Sequence, residues 1–139
     1  MNTKSPVAQC VSRFPAVSAS IAAARDWARA CVQDFDGPPR QHRFVETAEL
    51  LVSELVTNAI RHGTGSPVLR LTWNGRTLRI AVSDLSARWP RLRTADSAEP
   101  GGFGVRIVEQ LTQRWGVTPH HAGKTVWAEL SPHAPHPAH

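Results

Sequence analysis

A change in the spacing of apolar residues midway along the chain constrains the fold most. From about residue 41 to 61, apolar residues recur every three or four positions, which predicts a long helix with one buried side: Val45, Ala48, Val52, Leu55, Val56 and Ala59. Gly63 and Gly65 follow, and glycines commonly end helices. The spacing then becomes two, which predicts strands. This part of the chain therefore favours a helix packed on a sheet.

Two strands are predicted after the long helix. In segments 68–73 and 78–83 alternate residues are apolar, namely Leu69, Leu71, Trp73, Leu78, Ile80 and Val82. The dipeptide Asn74-Gly75 between them is the strongest short hairpin signal. Asp84 stands where the second strand ends, and a turn at 120–123 leads to a last strand over 124–130.

Two more helices are predicted around these strands. One starts near Ser18 or Ser20 and stops at Asp36-Gly37-Pro38-Pro39; its apolar positions are Ile21, Ala24, Ala28 and Cys31 or Val32. The other follows an irregular segment, 85–100, and holds Val105, Val108, Leu111 and Trp115. The order favours an α+β fold, a two-layer α/β sandwich with helices on one face of a mixed, mostly antiparallel sheet.

Length and composition suggest one folded domain. The 139 residues, 41% hydrophobic and 19% charged, fit a single globular domain, which we place at 14–131. We expect residues 1–13 to be a flexible N-terminal segment and the Pro/His-rich tail, 132–139, to be disordered. The sequence shows no signal peptide and no apolar run of the ~20 residues a membrane span needs, so a cytoplasmic protein without membrane contact is expected. Cys10 and Cys31 are expected to stay reduced.

The formal charge of +5 is compatible with several classes of binding partner. A basic balance attracts nucleic acid, a nucleotide or an acidic protein. The arginines are dispersed and no nucleic-acid-binding motif occurs, so no direct nucleic-acid binding is expected. His120, His121 and the tail histidines lack companions at metal-ligand spacing.

Polar residues on the long helix are candidates for chemistry. Glu54, Asn58 and His62 are four residues apart and share one side of the helix. A carboxylate can deprotonate a hydroxyl or water, and an amide oxygen suits Mg²⁺. A solvated helix side explains these residues equally well. Asp84 has two similar interpretations, a hydrogen-bond acceptor for an amino-bearing ring or a turn-forming residue.

Two glycine-containing segments invite comparison with phosphate sites. Gly101-Gly102-Phe103-Gly104 precedes a predicted helix, where backbone N–H groups can approach phosphates, although a flexible loop would look the same. Gly123-Lys124-Thr125 is similar to the end of a Walker A motif, but Thr118 stands where a glycine is required and a strand follows. A P-loop is excluded.

Taken in order, these segments resemble the GHKL (Bergerat-fold, HATPase_c) superfamily. The closest resemblance is to small anti-sigma-factor serine/threonine protein kinases and their actinobacterial-type ATP-binding relatives. Residues 54–62 resemble the N box, 82–86 the first glycine box, 102–105 the second, and 123–127 the closing strand. The resemblance covers about residues 14–131. Ser86 and Arg88 depart from it, because the first glycine box usually has glycines there.

The resemblance implies a role for each matching residue. Asn58 would ligate Mg²⁺ at the phosphates of ATP, and Glu54 would be the general base. Asp84 would accept a hydrogen bond from the adenine amino group, with Thr125 helping through a water. In the second glycine box, Gly102 and Gly104 would form part of the phosphate lid.

The resemblance also implies a function. It is that of an ATP-dependent serine/threonine protein kinase, which sequesters a sigma factor and phosphorylates an antagonist protein of the anti-sigma factor. The alternative is an ATP-binding protein-interaction module without kinase activity. Such relatives often form homodimers, so a second copy of the chain is among the expected partners.

Overall fold

The computed structural model describes residues 8–86 and 111–132, and the statements on structure concern these residues. They form, in chain order, β1 (Ala8–Arg13), α1 (Ala19–Asp34), a short 3-10 helix (Pro38–Arg40), α2 (His42–His62), β2 (Val68–Trp73), β3 (Leu78–Asp84), β4 (Arg114–His120) and β5 (Gly123–Leu130). The second glycine box and nearly all of the third predicted helix lie outside the described residues.

The strands form one five-stranded sheet in the order β1-β2-β3-β5-β4. Every pairing in the described residues is antiparallel. On the side that we call the inner face, Leu71, Ile80 and Ala128 lie next to one another on β2, β3 and β5 and are fully buried. Both helices contribute to the core on this face, so the predicted α+β sandwich is confirmed.

The helices bury the stripes that their sequences predicted. Ala24 and Ala28 of α1 and Val52 and Val56 of α2 have no exposed surface. The alanines let α1 approach α2 closely, while α2 supplies larger side chains to the inner face. In this part of the chain, neither helix is apolar and long enough to cross a membrane.

The predicted hairpin joins β2 to β3 through residues 74–77. The side-chain oxygen of Asn74 accepts hydrogen bonds from the backbone N–H groups of Arg76 and Thr77, at 2.9 and 2.7 Å. Gly75 has φ +95°, in the region that glycine adopts without steric penalty. The turn fixes the register in which Trp73 faces Leu78.

The flexible segment predicted for residues 1–13 is wrong for residues 8–13, which form the edge strand β1 paired with β2. Residues 1–7 lie outside the described residues. In β1, Ala8 and Cys10 are partly buried and Val11 is exposed. This alternation is weak in the sequence because the inward side chains are small, so the strand depends on pairing with β2.

The expectation of two reduced cysteines is also wrong, because Cys10 and Cys31 form a disulfide. Their Cα atoms are 6.3 Å apart, and 21 positions separate them in the chain. Once β1 pairs with β2, Cys10 points to the inner face and meets the buried Cys31 of α1. Without the strand, nothing in the sequence brings the two residues together.

Apolar spacing predicts that Trp115 belongs to the third helix, but the residue lies in the edge strand β4. Gly116 and Pro119 hid this strand, since both residues are rare inside strands. Pro119 is tolerated because β4 lies at the edge of the sheet. At Gly116 an added Cβ would lie 2.8 Å from the ring of Trp127, so the glycine makes room for that ring.

Candidate functional site

The polar residues of α2 share one side of the helix, as predicted. Glu54 and Asn58 are half-buried and His62 is exposed. The neighbouring positions Val56 and Ala59 are buried in the core and fix the rotation of the helix about its axis. The carboxylate and the amide are thus held at the margin of the folded core rather than on a fully solvated side.

Burial raises the pKa of the Glu54 carboxyl above its ordinary value, and the positive charge of Arg61 opposes this shift. The two residues are seven positions apart, about two helical turns. A carboxyl with a raised pKa is a better proton acceptor than a fully solvated one.

The C-terminal end of α2 meets the end of β3 at Asp84. A Cβ on Gly63 would lie 2.8 Å from the carboxyl carbon of Asp84 and 2.9 Å from its Oδ2. Only a glycine permits this approach at the end of the helix. It places the C-terminal end of α2 next to the end of the sheet that carries Asp84.

Asp84 is buried, with 3% of its surface exposed, and the structure gives its carboxylate two partners. The backbone N–H of Ser86 donates to Oδ1 at 2.7 Å. Lys124 Nζ lies 3.0 Å from both Oδ1 and Oδ2. A buried carboxylate beside the negative end of a helix is unfavourable alone, and the lysine compensates its charge.

The pairing of β3 with β5 explains this contact. Asp84 faces Lys124 across the two strands, in line with the buried pair of Val82 and Val126. A Cβ on Gly123 would collide with the backbone oxygen of Asp84, so β5 also starts with a residue that must be small. Asp84 is thus enclosed by the end of α2 and the start of β5.

The structure does not bring Thr125 to Asp84. Thr125 lies on the outer face of the sheet, where its hydroxyl is 2.7 Å from that of Ser83 and 3.1 Å from His120 Nε2. Adjacent residues of a strand point to opposite faces of the sheet. Lys124, the residue before Thr125, therefore lies on the face of Asp84, and Thr125 does not. The implied contact of Thr125 with a base beside Asp84 is therefore not supported by this geometry.

Lys124 is the residue that the sequence analysis missed. The sequence places this lysine in the closing strand and excludes it from a P-loop, but it assigns the side chain no role. A usable signal was present, because Lys124 is in phase with Val126, Ala128 and Leu130, which form the buried side of β5. Inward orientation could have been predicted from that alternation, but not the partner.

Two further implied site residues, Gly102 and Gly104, lie outside the described residues, as does Arg88 of the first glycine box. Within the described ranges, no three His, Cys, Asp or Glu residues are grouped to hold a metal ion. A lone amide such as Asn58 suits Mg²⁺ that arrives with phosphates, since this ion keeps waters and uses few protein ligands.

A shallow groove lies at the other end of the molecule, where β5 ends and α2 begins. None of the predicted site residues lines it; its lining consists of Gln41, Arg43, Phe44, Thr47, Leu111, Gln113, Leu130, Ser131 and Pro132. The junction at Asp84 is therefore a separate site.

Comparison with known proteins identifies the family to which the chain belongs. Residues 14–130 match the family described as histidine kinase-like ATPase domain. No curated protein matches the chain. Among solved structures, the histidine kinase domain from the Erythrobacter litoralis EL346 blue-light activated histidine kinase is 32% identical, covering 63% of this chain and 45% of that chain, with a TM-score of 0.45. The chain thus spans less than half of that structure. It belongs to the histidine kinase-like ATPase family of the GHKL superfamily, a membership that implies ATP binding.

Proposed function

We propose that the protein is a Mg-ATP-binding regulator of the anti-sigma-factor kinase type, which sequesters a sigma factor and phosphorylates a serine or threonine of an antagonist protein. The observation that carries this proposal is the junction of α2 with β3 and β5. There Glu54 and Asn58 are half-buried on the helix that ends against the buried Asp84.

ATP would lie along this junction. Asp84, fixed by Ser86 and Lys124, would accept a hydrogen bond from the amino group of adenine. Asn58 would ligate Mg²⁺, which would neutralise charge on the phosphates. Gly102 and Gly104 would form part of the lid over them.

Glu54 would act on the substrate hydroxyl. Its carboxylate takes the proton of a serine or threonine while the hydroxyl oxygen bonds to the γ-phosphorus of ATP. The bond from that phosphorus to the bridging oxygen breaks, and ADP leaves. The raised pKa of Glu54 supports this role, because a base with a raised pKa accepts the proton more readily.

The test of ATP binding is calorimetric titration of Mg-ATP into the wild type, Asn58→Ala and Asn74→Ala. The two variants lose the same side chain, but Asn74 is in the β2–β3 turn, at the far end of the strands from Asp84. We expect binding by the wild type and Asn74→Ala and at least tenfold weaker binding by Asn58→Ala, as for loss of a ligand to a charged group. Folded wild type that binds no Mg-ATP would refute the proposal.

The test of phosphoryl transfer uses γ-labelled ATP and the proteins that co-purify with the tagged chain. Glu54→Gln should abolish labelling and retain Mg-ATP binding, whereas Glu46→Gln, on an exposed position of the same helix, should change neither. If the wild type and Glu54→Gln both bind Mg-ATP and neither labels a partner, the protein is the alternative, an ATP-binding protein-interaction module.

A further inference from the structure

Most of the hydrogen-bond acceptor sites of the Asp84 carboxylate are occupied by groups of the protein itself. A carboxylate has about four lone-pair sites, two on each oxygen. On Oδ1, the N–H of Ser86 and the ammonium of Lys124 occupy both. On Oδ2, Lys124 occupies one. One acceptor site therefore remains for a ligand.

The ammonium of Lys124 has at least one N–H group that Asp84 does not accept. This ammonium carries three N–H groups, of which at most two point to the oxygens of Asp84. In the described part of the chain, Asp84 is the acceptor that the structure gives it. With 4% of Lys124 exposed, water has little access to the remaining N–H. The pair thus presents one acceptor next to one donor.

We infer that Lys124 selects the base of the bound nucleotide, an inference that rests on the proposed function. Adenine presents an amino donor next to a ring-nitrogen acceptor, which matches one acceptor next to one donor. Guanine presents two adjacent N–H donors to a carboxylate and needs two free acceptor sites, one of which Lys124 occupies. Lys124 therefore favours adenine in two ways, by donating to a ring nitrogen and by denying Asp84 to guanine.

The first test changes only the ligand. Calorimetric titration of the wild type compares the Mg²⁺ complexes of ATP, GTP, 1-deaza-ATP and 7-deaza-ATP; the two deaza analogues each lack one of the ring nitrogens that flank the amino group. We expect one deaza analogue and GTP to bind at least about tenfold more weakly than ATP, since a hydrogen bond to a charged group has this strength. If both deaza analogues and GTP bind like ATP, the inference is wrong.

The second test removes the ammonium. In Lys124→Met, the preferences for ATP over the sensitive deaza analogue and over GTP should both shrink to within about threefold. The matched control is Thr125→Val, the adjacent residue on the outer face, which should retain the wild-type ratios. Because loss of one partner from a buried ion pair threatens folding, circular dichroism spectra accompany both variants, and Lys124→Arg, which keeps the charge, serves if the methionine variant does not fold.

The outcomes separate this inference from the function on which it rests. A wild type that binds none of the nucleotides refutes both. A wild type that prefers ATP, with unchanged ratios in folded Lys124→Met, refutes the role of Lys124 and leaves ATP binding intact. If Lys124→Met does not fold, Lys124→Arg should change the deaza and GTP ratios, because a guanidinium cannot reproduce the same donor position; unchanged ratios would refute the inference.

Discussion

Glu54 and Arg61 of α2 are electrostatically linked, although only the first is proposed to act on substrate. The arginine lowers the carboxyl pKa that burial raises. Replacing it removes the lowering influence, so the Glu54 pKa should rise further. A general base works only when it is deprotonated. As the pH is lowered, the variant should therefore lose phosphoryl-transfer rate at a higher pH than the wild type does.

The prediction concerns Arg61→Gln, at an exposed position. The acidic limb of the phosphoryl-transfer rate against pH should move to higher pH, because the lowering influence of Arg61 on the Glu54 pKa is lost. Arg43→Gln, exposed at the start of α2, is the control and should leave the limb in place. A limb that stays or moves to lower pH in Arg61→Gln would contradict Glu54 as the base.

Gly63 determines how closely α2 approaches Asp84, and Gly63→Ala tests this contact. The new Cβ, 2.8 Å from the carboxyl carbon, forces the helix end and Asp84 apart. We expect the free energy of unfolding to fall by about 1–3 kcal/mol, as for overpacking, and Mg-ATP binding to weaken. Urea titration measures the first effect and calorimetry the second.

Gly75→Asn is the control for this substitution. Gly75 has φ +95° with open space around it, and asparagine tolerates positive φ better than most residues. Its unfolding free energy should change by less than that of Gly63→Ala. Equal stability and equal ATP affinity of Gly63→Ala and wild type would show that α2 does not need the glycine.

At the residue scale, the sequence could predict side chains on regular elements but not their partners. The positions of Glu54 and Asn58 follow from helical spacing alone. The pairing of Asp84 with Lys124 depends on the register between β3 and β5, which no local pattern fixes. The outward orientation of Thr125 depends on the same register, since a shift of one residue reverses the face to which a strand's side chains point.

Among the elements, β1 is held by its pairing with β2 and is also linked covalently to α1 by the disulfide. Closing a loop of this length stabilises a protein by about 3 kcal/mol in the chain-entropy account. We predict that reductant lowers the unfolding free energy of the wild type by about that amount. The same reductant should have no effect on the double variant Cys10→Ala with Cys31→Ala.

Thiol labelling followed by mass spectrometry tests the premise directly. The native protein, purified without reductant and then denatured, should take up no alkylating agent, and two equivalents after reduction. Hydrogen exchange should be faster in β1 after reduction, since an edge strand without its link opens more easily. Two labelled cysteines before reduction would contradict the disulfide.

The elements found from the sequence differ physically from those missed. α1, α2, β2, β3 and β5 carry strong apolar periodicity, so local patterns sufficed. The strand β1 buries only small side chains. In β4, Gly116 makes room for the ring of Trp127, and Pro119 is tolerated because the strand lies at the edge of the sheet. Both missed strands are edges, which gain their structure from a neighbour and not from their own composition.

For the whole molecule, nucleotide binding and folding stability are coupled. A ligand that binds only the folded chain, at one hundred times its dissociation constant, adds about 2.7 kcal/mol to the free energy of unfolding. For a domain of this size, we predict that Mg-ATP at this concentration raises the Tm by roughly 10 °C.

Thermal unfolding monitored by circular dichroism measures this shift. At the same nucleotide concentration, Asn58→Ala should show about half of this shift or less, and Asn74→Ala the full one. Mg²⁺ without nucleotide is the further control. A shift of equal size in Asn58→Ala would mean that ATP stabilises the chain at another place.

The route of the chain through the sheet has a consequence for synthesis. Asp84 and Lys124 are neighbours in space but 40 positions apart in sequence. As the ribosome extends the chain, both helices and the β2–β3 hairpin can form from local contacts, whereas the β3–β5 pairing must wait for β5. Until then Lys124 is not paired with Asp84, and the proposed nucleotide site is incomplete. Capture of nucleotide at the proposed site would therefore mark a chain in which β5 has been inserted between β3 and β4.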